Sequence, residues 1–101
     1  MNTHDLINAL KAKYGLKTDY ETAKFLNVSK QSIYNYRDGR ECNDNMAILI
    51  AEKLGYNPAR VLLEVQAHRS KSPLTKRAFL DAAKSLPLEI GNKNSGIKEA
   101  S

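Results

Sequence analysis

The chain reads as an all-α protein, predicted as a five-helix bundle with one additional C-terminal helix. Apolar residues recur at i, i+3, i+4 and i+7, as in Ala47, Ile50, Ala51 and Leu54, and no segment alternates apolar with polar residues convincingly enough for a strand. Helix-start and helix-stop residues also bracket the periodic stretches, with Asn57-Pro58 and Ser72-Pro73 as starts and Gly15 and Gly55 as stops. With 101 residues the chain suffices for one domain, and its 42% hydrophobic content suffices for a core of its own.

Taken in order, the first helix should begin after Thr3 and end before Gly15, with Leu6, Ile7, Leu10 and Tyr14 facing inward. Thr18 and Glu21 have the spacing of a capping box for the second, whose Thr22, Ala23 and Leu26 turn inward; Ala23 is small enough to let another helix cross closely. Asn27 tolerates the left-handed conformation of a tight turn, Val28 plugs the core, and Ser29 caps a third helix over Lys30 to Arg37. Ile33 and Tyr36 point inward there, and Gly39 closes the helix in the left-handed region. Asp44 is the expected cap of the fourth helix, which Gly55 stops. Asn57-Pro58 opens a fifth, running to about Arg69, with Val61, Leu62 and Val65 as core or interface. Ser72-Pro73 opens a sixth with Leu74, Ala78, Phe79, Ala82, Ala83 and Leu86 on one apolar face. Order should fade beyond Pro87, and residues 91–101, polar and glycine-bearing, read as a flexible tail. The expected division is therefore 1–70, a C-terminal helix over 71–87, and a tail over 88–101.

Residues 19 to 39 bear most on function, because two short helices joined by a tight turn are the layout of a helix-turn-helix reader of double-stranded DNA. Lys30, Gln31, Ser32, Tyr34 and Asn35 are left on the outside of the third helix. Gln31 or Asn35 can bond adenine N6 and N7 together, and Lys30 can donate to guanine O6 and N7 or to a phosphate. Ser32 offers a polar contact and Tyr34 a contact with a thymine methyl. The same shape can also serve as a structural corner in a helical protein. A net charge of +5 and an isoelectric point near 9.4 fit a polyanionic partner without requiring one. Lys71, Lys76, Arg77 and Lys84 read first as a solvated face, with contact to flanking phosphates as the alternative. Cys42 is the only cysteine, which excludes an internal disulfide and fits a reducing cytoplasm. It is expected to be an inert small residue, and His4 and His68 to be surface residues, since nothing at metal or catalytic spacing accompanies them. No enzyme, metal-site or cofactor motif is legible, no secretion leader is indicated, and no stretch reaches the roughly 18 apolar residues that span a bilayer.

The segment TAKFLNVSKQSIYNYRDG, Thr22 to Gly39, with the apolar helix after it, resembles the Cro/CI-type, lambda-repressor-like helix-turn-helix proteins often grouped as the XRE family. The resemblance covers residues 3 to 65, and small phage and prophage repressors are similar to the chain in overall appearance. It implies a bundle of about five helices whose third enters the major groove. Base-reading positions then fall on Lys30, Gln31 and Asn35, and phosphate-holding positions on Lys17, Thr18 and the amides of the second helix, and on Arg37, Arg40 and Asn43. Asn27 stands where the family usually has glycine and Thr22 where leucine is common. Asp19 stands where relatives often present a neutral phosphate donor; its carboxylate repels DNA unless it caps the second helix or pairs with a neighbouring lysine. The resemblance also implies a homodimer reading two half-sites about 34 Å apart. Val65, Leu74, Phe79, Ala82, Ala83 and Leu86 are the expected interface, although the sixth helix could instead fold back on its own bundle. The reading is a sequence-specific repressor of a palindromic operator. An antitoxin or phage adaptor that binds a protein through the sixth helix and the tail is the alternative, and non-specific DNA compaction a third.

Overall fold

The computed structural model describes residues 1–90 and contains six helices: α1 (Thr3–Tyr14), α2 (Asp19–Leu26), α3 (Lys30–Arg37), α4 (Asp44–Leu54), α5 (Pro58–Arg69) and α6 (Pro73–Lys84). All six agree with the expected elements, and the only β feature among the described residues is an isolated antiparallel bridge, Tyr56 with Glu89. The cap residues explain the boundaries. Asn2 and Asp5 form a capping box on α1, Thr18 and Glu21 form one on α2, and the Ser29, Asn43, Asn57 and Ser72 side chains each accept a backbone N–H at the start of their helices. The α4 cap is Asn43 rather than the expected Asp44. Asn43 is extended and its Oδ1 reaches the Met46 amide at 2.8 Å, so Asp44 becomes the first helical residue, where its charge favours the helix dipole.

The core gathers Leu6, Ile7 and Leu10 of α1, Ala23 and Leu26 of α2, Ile33 of α3, Ala47, Ile50, Ala51 and Leu54 of α4, and Val61 and Val65 of α5. Thr22 is also fully buried, its hydroxyl donating to the Thr18 carbonyl at 3.0 Å; the polar atom is satisfied where a leucine is common in the resembling family. Tyr14, expected inside, is 43% exposed. It sits on the last turn of α1, beyond the core, with its ring 4.7 Å from Phe25 and its hydroxyl donating to the Lys53 carbonyl at the end of α4. Its place past the last core turn of α1 leaves it at the surface, where that carbonyl satisfies the hydroxyl.

Helix α6 lies along α5. Ala83 is 1% exposed and Leu80, Phe79 and Leu86 are half-buried, whereas Leu74 is 85% exposed and Ala78 and Ala82 face outward. Order continues past Pro87, contrary to expectation: Asn57 N–H donates to Leu88 O at 2.6 Å, Ile90 N–H donates to Gly55 O at 3.2 Å, and Arg60 Nη1 donates to Leu86 O at 2.8 Å. The α4–α5 connection and the first turn of α5 supply these partners from residues 55–60, a pairing that local composition does not announce. The expected tail from residue 91 lies outside the described residues.

Among the described residues, one charged side chain lies inside. Glu64 is 6% exposed and accepts hydrogen bonds from Arg60 Nε at 2.7 Å and from the Met1 amino group. Burial pushes its carboxyl up, but these two hydrogen bonds and the charges behind them outweigh that and hold it below its ordinary value of 4.5.

Candidate nucleic-acid interface

The turn between α2 and α3 sets the geometry of the outward face. Asn27 has φ 57° and ψ 46°, the left-handed region, and the amides of Asn27 and Val28 close the last turn of α2 onto Ala23 and Lys24 carbonyls. Two residues later Ser29 Oγ accepts the Ser32 amide at 3.0 Å and starts α3. Ile33, fully buried, and Tyr36, half-buried against the core, fix the rotation of α3 about its axis. At 100° per residue, that anchoring turns Gln31, Tyr34 and Asn35 away from the core, with Asn35 half-buried at the edge of the face, while Lys30, one turn before Ile33, is exposed at the start of the helix.

These four side chains form one surface. Gln31 Nε2 donates to Asn35 Oδ1 at 3.0 Å, one helical turn apart. The bond uses one of the two Gln31 amide hydrogens, so Gln31 retains a donor and its oxygen acceptor, the pair needed to meet adenine N7 and N6. Tyr34 is 54% exposed and lines a groove with His4, Arg37 and Asp38. Lys30 is exposed and enters no ion pair among the described residues. Ser32 stands apart from this group. It is half-buried, its Oγ lies 3.0 Å from Ser29 Oγ, and it is committed to the helix start.

The expected phosphate positions are more altered. Glu21 accepts the Lys17 amide at 2.6 Å and the Thr18 amide at 3.2 Å, while Thr18 Oγ1 accepts the Glu21 amide at 3.0 Å. The Lys17 amide above all, then that of Thr18, holds the Glu21 carboxyl below its ordinary value. The Lys17 and Thr18 amides just before α2 are therefore occupied by a carboxylate of the chain itself and the Glu21 amide by the Thr18 hydroxyl oxygen, leaving the Asp19 and Tyr20 amides of the first turn, the Lys17 ammonium and the Thr18 hydroxyl proton. Arg37 is not a free cation either, because Asp19 pairs with it and also lies 4.0 Å from Lys11 Nζ. The carboxylate foreseen as repulsive is thus neutralised by a lysine, as one alternative required, and by an arginine from α3. Asn43 spends its side-chain oxygen on the α4 cap and keeps only its amide hydrogens. Arg40 is exposed, follows the positive-φ Gly39, and enters no ion pair among the described residues.

Two features were not singled out from the sequence. Tyr20, 60% exposed, and Lys24, whose ammonium lies 5.6 Å from the Tyr20 ring centre, border a groove with Lys30 and Asn27 where α2 meets α3. The i, i+4 spacing of Tyr20 and Lys24 is the available signal for them. Of the expected interface residues, Val65 and Ala83 are buried within the chain itself and cannot form a surface between copies; Phe79 and Leu86 are half-buried, and Leu74 and Ala82 are exposed. Val65 faces the core because α4 packs on that side of α5, and Ala83 is covered because α6 turns it onto α5. No helix among the described residues is long and apolar enough to cross a membrane. Comparison of the chain with protein-family models, with curated proteins and with solved structures returns no match.

Proposed function

We propose that this chain is a sequence-specific, DNA-binding transcription regulator built on a lambda-repressor-like helix-turn-helix bundle, and that it acts as a repressor of the phage or prophage type. In this reading α3 enters the major groove of a palindromic operator and two copies occupy the two half-sites. The observation that carries it is the outward face of α3, where Gln31 and Asn35 are joined one turn apart beside Lys30 while Ile33 anchors the opposite side. Gln31 and Asn35 take the base-reading role, with Lys30 on a guanine or a phosphate and Tyr34 at the edge. Arg40 and the Lys17 ammonium take phosphates, joined by the Asn43 amide hydrogens. Repression follows from occupying DNA that polymerase needs, so the activity requires neither catalysis nor a cofactor.

A mobility-shift titration on the DNA flanking the protein's own gene, with random competitor, tests the reading. Gln31→Ala should cost about 1–3 kcal/mol and relax preference at one base pair, whereas Arg40→Ala should weaken all sequences alike and reduce the salt slope by about 0.9. Equal, sequence-independent losses from both would overturn the division of roles. Binding without preference over competitor would favour compaction instead. An apolar groove between α5 and α6 also suits the antitoxin or adaptor reading, which stable co-purification of a different protein without DNA affinity would favour.

A further inference from the structure

A groove of about 300 Å3 opens where α2 meets α3, walled by Tyr20, Ala23, Lys24, Asn27, Val28 and Lys30, with no carboxylate among them. Ala23 is buried and Val28 half-buried, so what the groove presents is the Tyr20 ring and hydroxyl, two ammonium groups and the Asn27 amide. The Lys24 ammonium lies 5.6 Å from the Tyr20 ring centre, an attraction that places the charge without neutralising it. Neither Lys24 nor Lys30 enters an ion pair among the described residues, whereas Lys11 and Arg37 both meet Asp19 at the start of α2. Lys30 and Arg37 stand two turns apart on one stripe of α3, and both reach α2, Arg37 through Asp19 and Lys30 through the groove. Gln31 and Asn35 form a different stripe, roughly a third of a turn around the helix.

We infer that this groove takes the sugar-phosphate backbone of double-stranded DNA, with Lys24 and Lys30 each facing a phosphate and the Tyr20 hydroxyl donating to one. Lys30 is then a backbone contact and not a base reader. An ammonium on a flexible stem is a point charge that suits a phosphate, whereas the flat amide of Gln31 suits the paired atoms of a base edge. Carboxylates of the chain already take the Lys17 and Thr18 amides and the Arg37 guanidinium, so the unpaired cations of the motif lie at the side of α2 and not at its start. An acidic protein segment could meet the same two charges. DNA is favoured because Lys30 belongs both to the groove and to the helix that carries Gln31, so one duplex can cover the two surfaces together. This deepens the operator reading and rests on it, but a backbone contact is indifferent to sequence and is therefore tested separately from operator preference.

The experiment is fluorescence anisotropy of the full chain on two labelled duplexes, the DNA flanking the protein's own gene and a scrambled duplex of equal length, each titrated at several salt concentrations. Lys24→Ala and Lys30→Ala should each weaken both duplexes by the same factor and reduce the slope of log affinity against log salt by about 0.9. Both lysines are exposed and alanine is a good helix former, so the helical spectrum and melting temperature should not change. Lys24→Arg should keep the slope. Tyr20→Phe should lower affinity for both duplexes at an unchanged slope, because a neutral hydroxyl displaces no counterion. Lys71→Ala, at an exposed lysine ahead of α6, should alter neither affinity nor slope. A slope indifferent to Lys24→Ala, or reduced as much by Lys71→Ala, would overturn the inference, and so would a Lys30→Ala loss confined to the flanking duplex, which would make Lys30 a base reader. Equal wild-type affinity for the two duplexes would remove the operator reading alone, since the slopes still report the backbone contact; no binding to either would remove both.

Discussion

Asp19 and Arg37 exert the clearest single-residue control over the candidate interface. Their ion pair is partly exposed, so its contribution to stability is at most about 1 kcal/mol, yet it withholds a guanidinium from the surface where phosphates are expected. Asp19→Asn should therefore tighten DNA binding, steepening the salt dependence by about 0.9 if the released Arg37 meets one phosphate. Weaker binding or an unchanged slope in the same titration would show that Arg37 points elsewhere. Asn27 acts through the backbone. In its left-handed conformation a β-carbon is costly unless the side chain is that of asparagine, so Asn27→Ala should destabilise by about 1 kcal/mol and Asn27→Gly should be close to neutral in urea denaturation. A neutral alanine variant would mean that the turn relaxes without cost.

Among the elements, α6 is the one whose attachment decides how much apolar surface the chain leaves open. Arg60 holds it at the far end, donating to the Leu86 carbonyl just past the helix while its Nε meets Glu64. Replacing Arg60 with alanine removes both bonds and leaves Glu64 with one cation fewer in a nearly closed site, the costly half of a broken buried pair. Arg60→Ala should destabilise by about 2 kcal/mol, and hydrogen exchange should accelerate first at the Ser85 and Leu86 amides. Uniform exchange across α1 to α6 would indicate that α6 is not a separately attached element. By contrast, α3 should be indifferent to this change, because Ile33 and Ser29 hold it from the opposite end of the chain order.

For the whole molecule, the Glu64 cluster joins the start of the chain, α5 and the segment after α6, and it makes stability depend on pH. The folded Glu64 carboxyl lies below 4.5, so the folded state binds fewer protons than the unfolded chain at acidic pH. Its stabilising contribution is complete above 4.5 and is lost as pH falls through the lower folded value. Melting temperatures followed downward from neutrality should fall in that acidic window, and Glu64→Gln should flatten this part of the profile while lowering stability at neutral pH. An identical acid profile in the two chains would remove Glu64 from the account. Cys42, 1% exposed, has its thiol pushed up by burial and should react with thiol reagents only on unfolding.

Periodicity and caps sufficed for the six helices, because both are set by neighbours within four or five residues along the chain; Thr18, Asn27 and Ser29 each do locally what their chemistry announces. The outward position of Gln31 and Tyr34 was legible for the same reason, once Ile33 was read as core; Lys30 is exposed because it starts the helix, and Asn35 lies half-buried at the edge of that face. Pairings between distant positions were not. Asp19 meets Arg37 across 18 residues and Glu64 meets Met1 across 63, and a charge carries no mark of which opposite charge will approach it. Likewise, an apolar face does not say whether its own bundle or another molecule covers it. Folding buried Val65 and Ala83 and left Leu74 in solvent, since burial is a property of how helices pack in three dimensions and not of the stripe on any one of them.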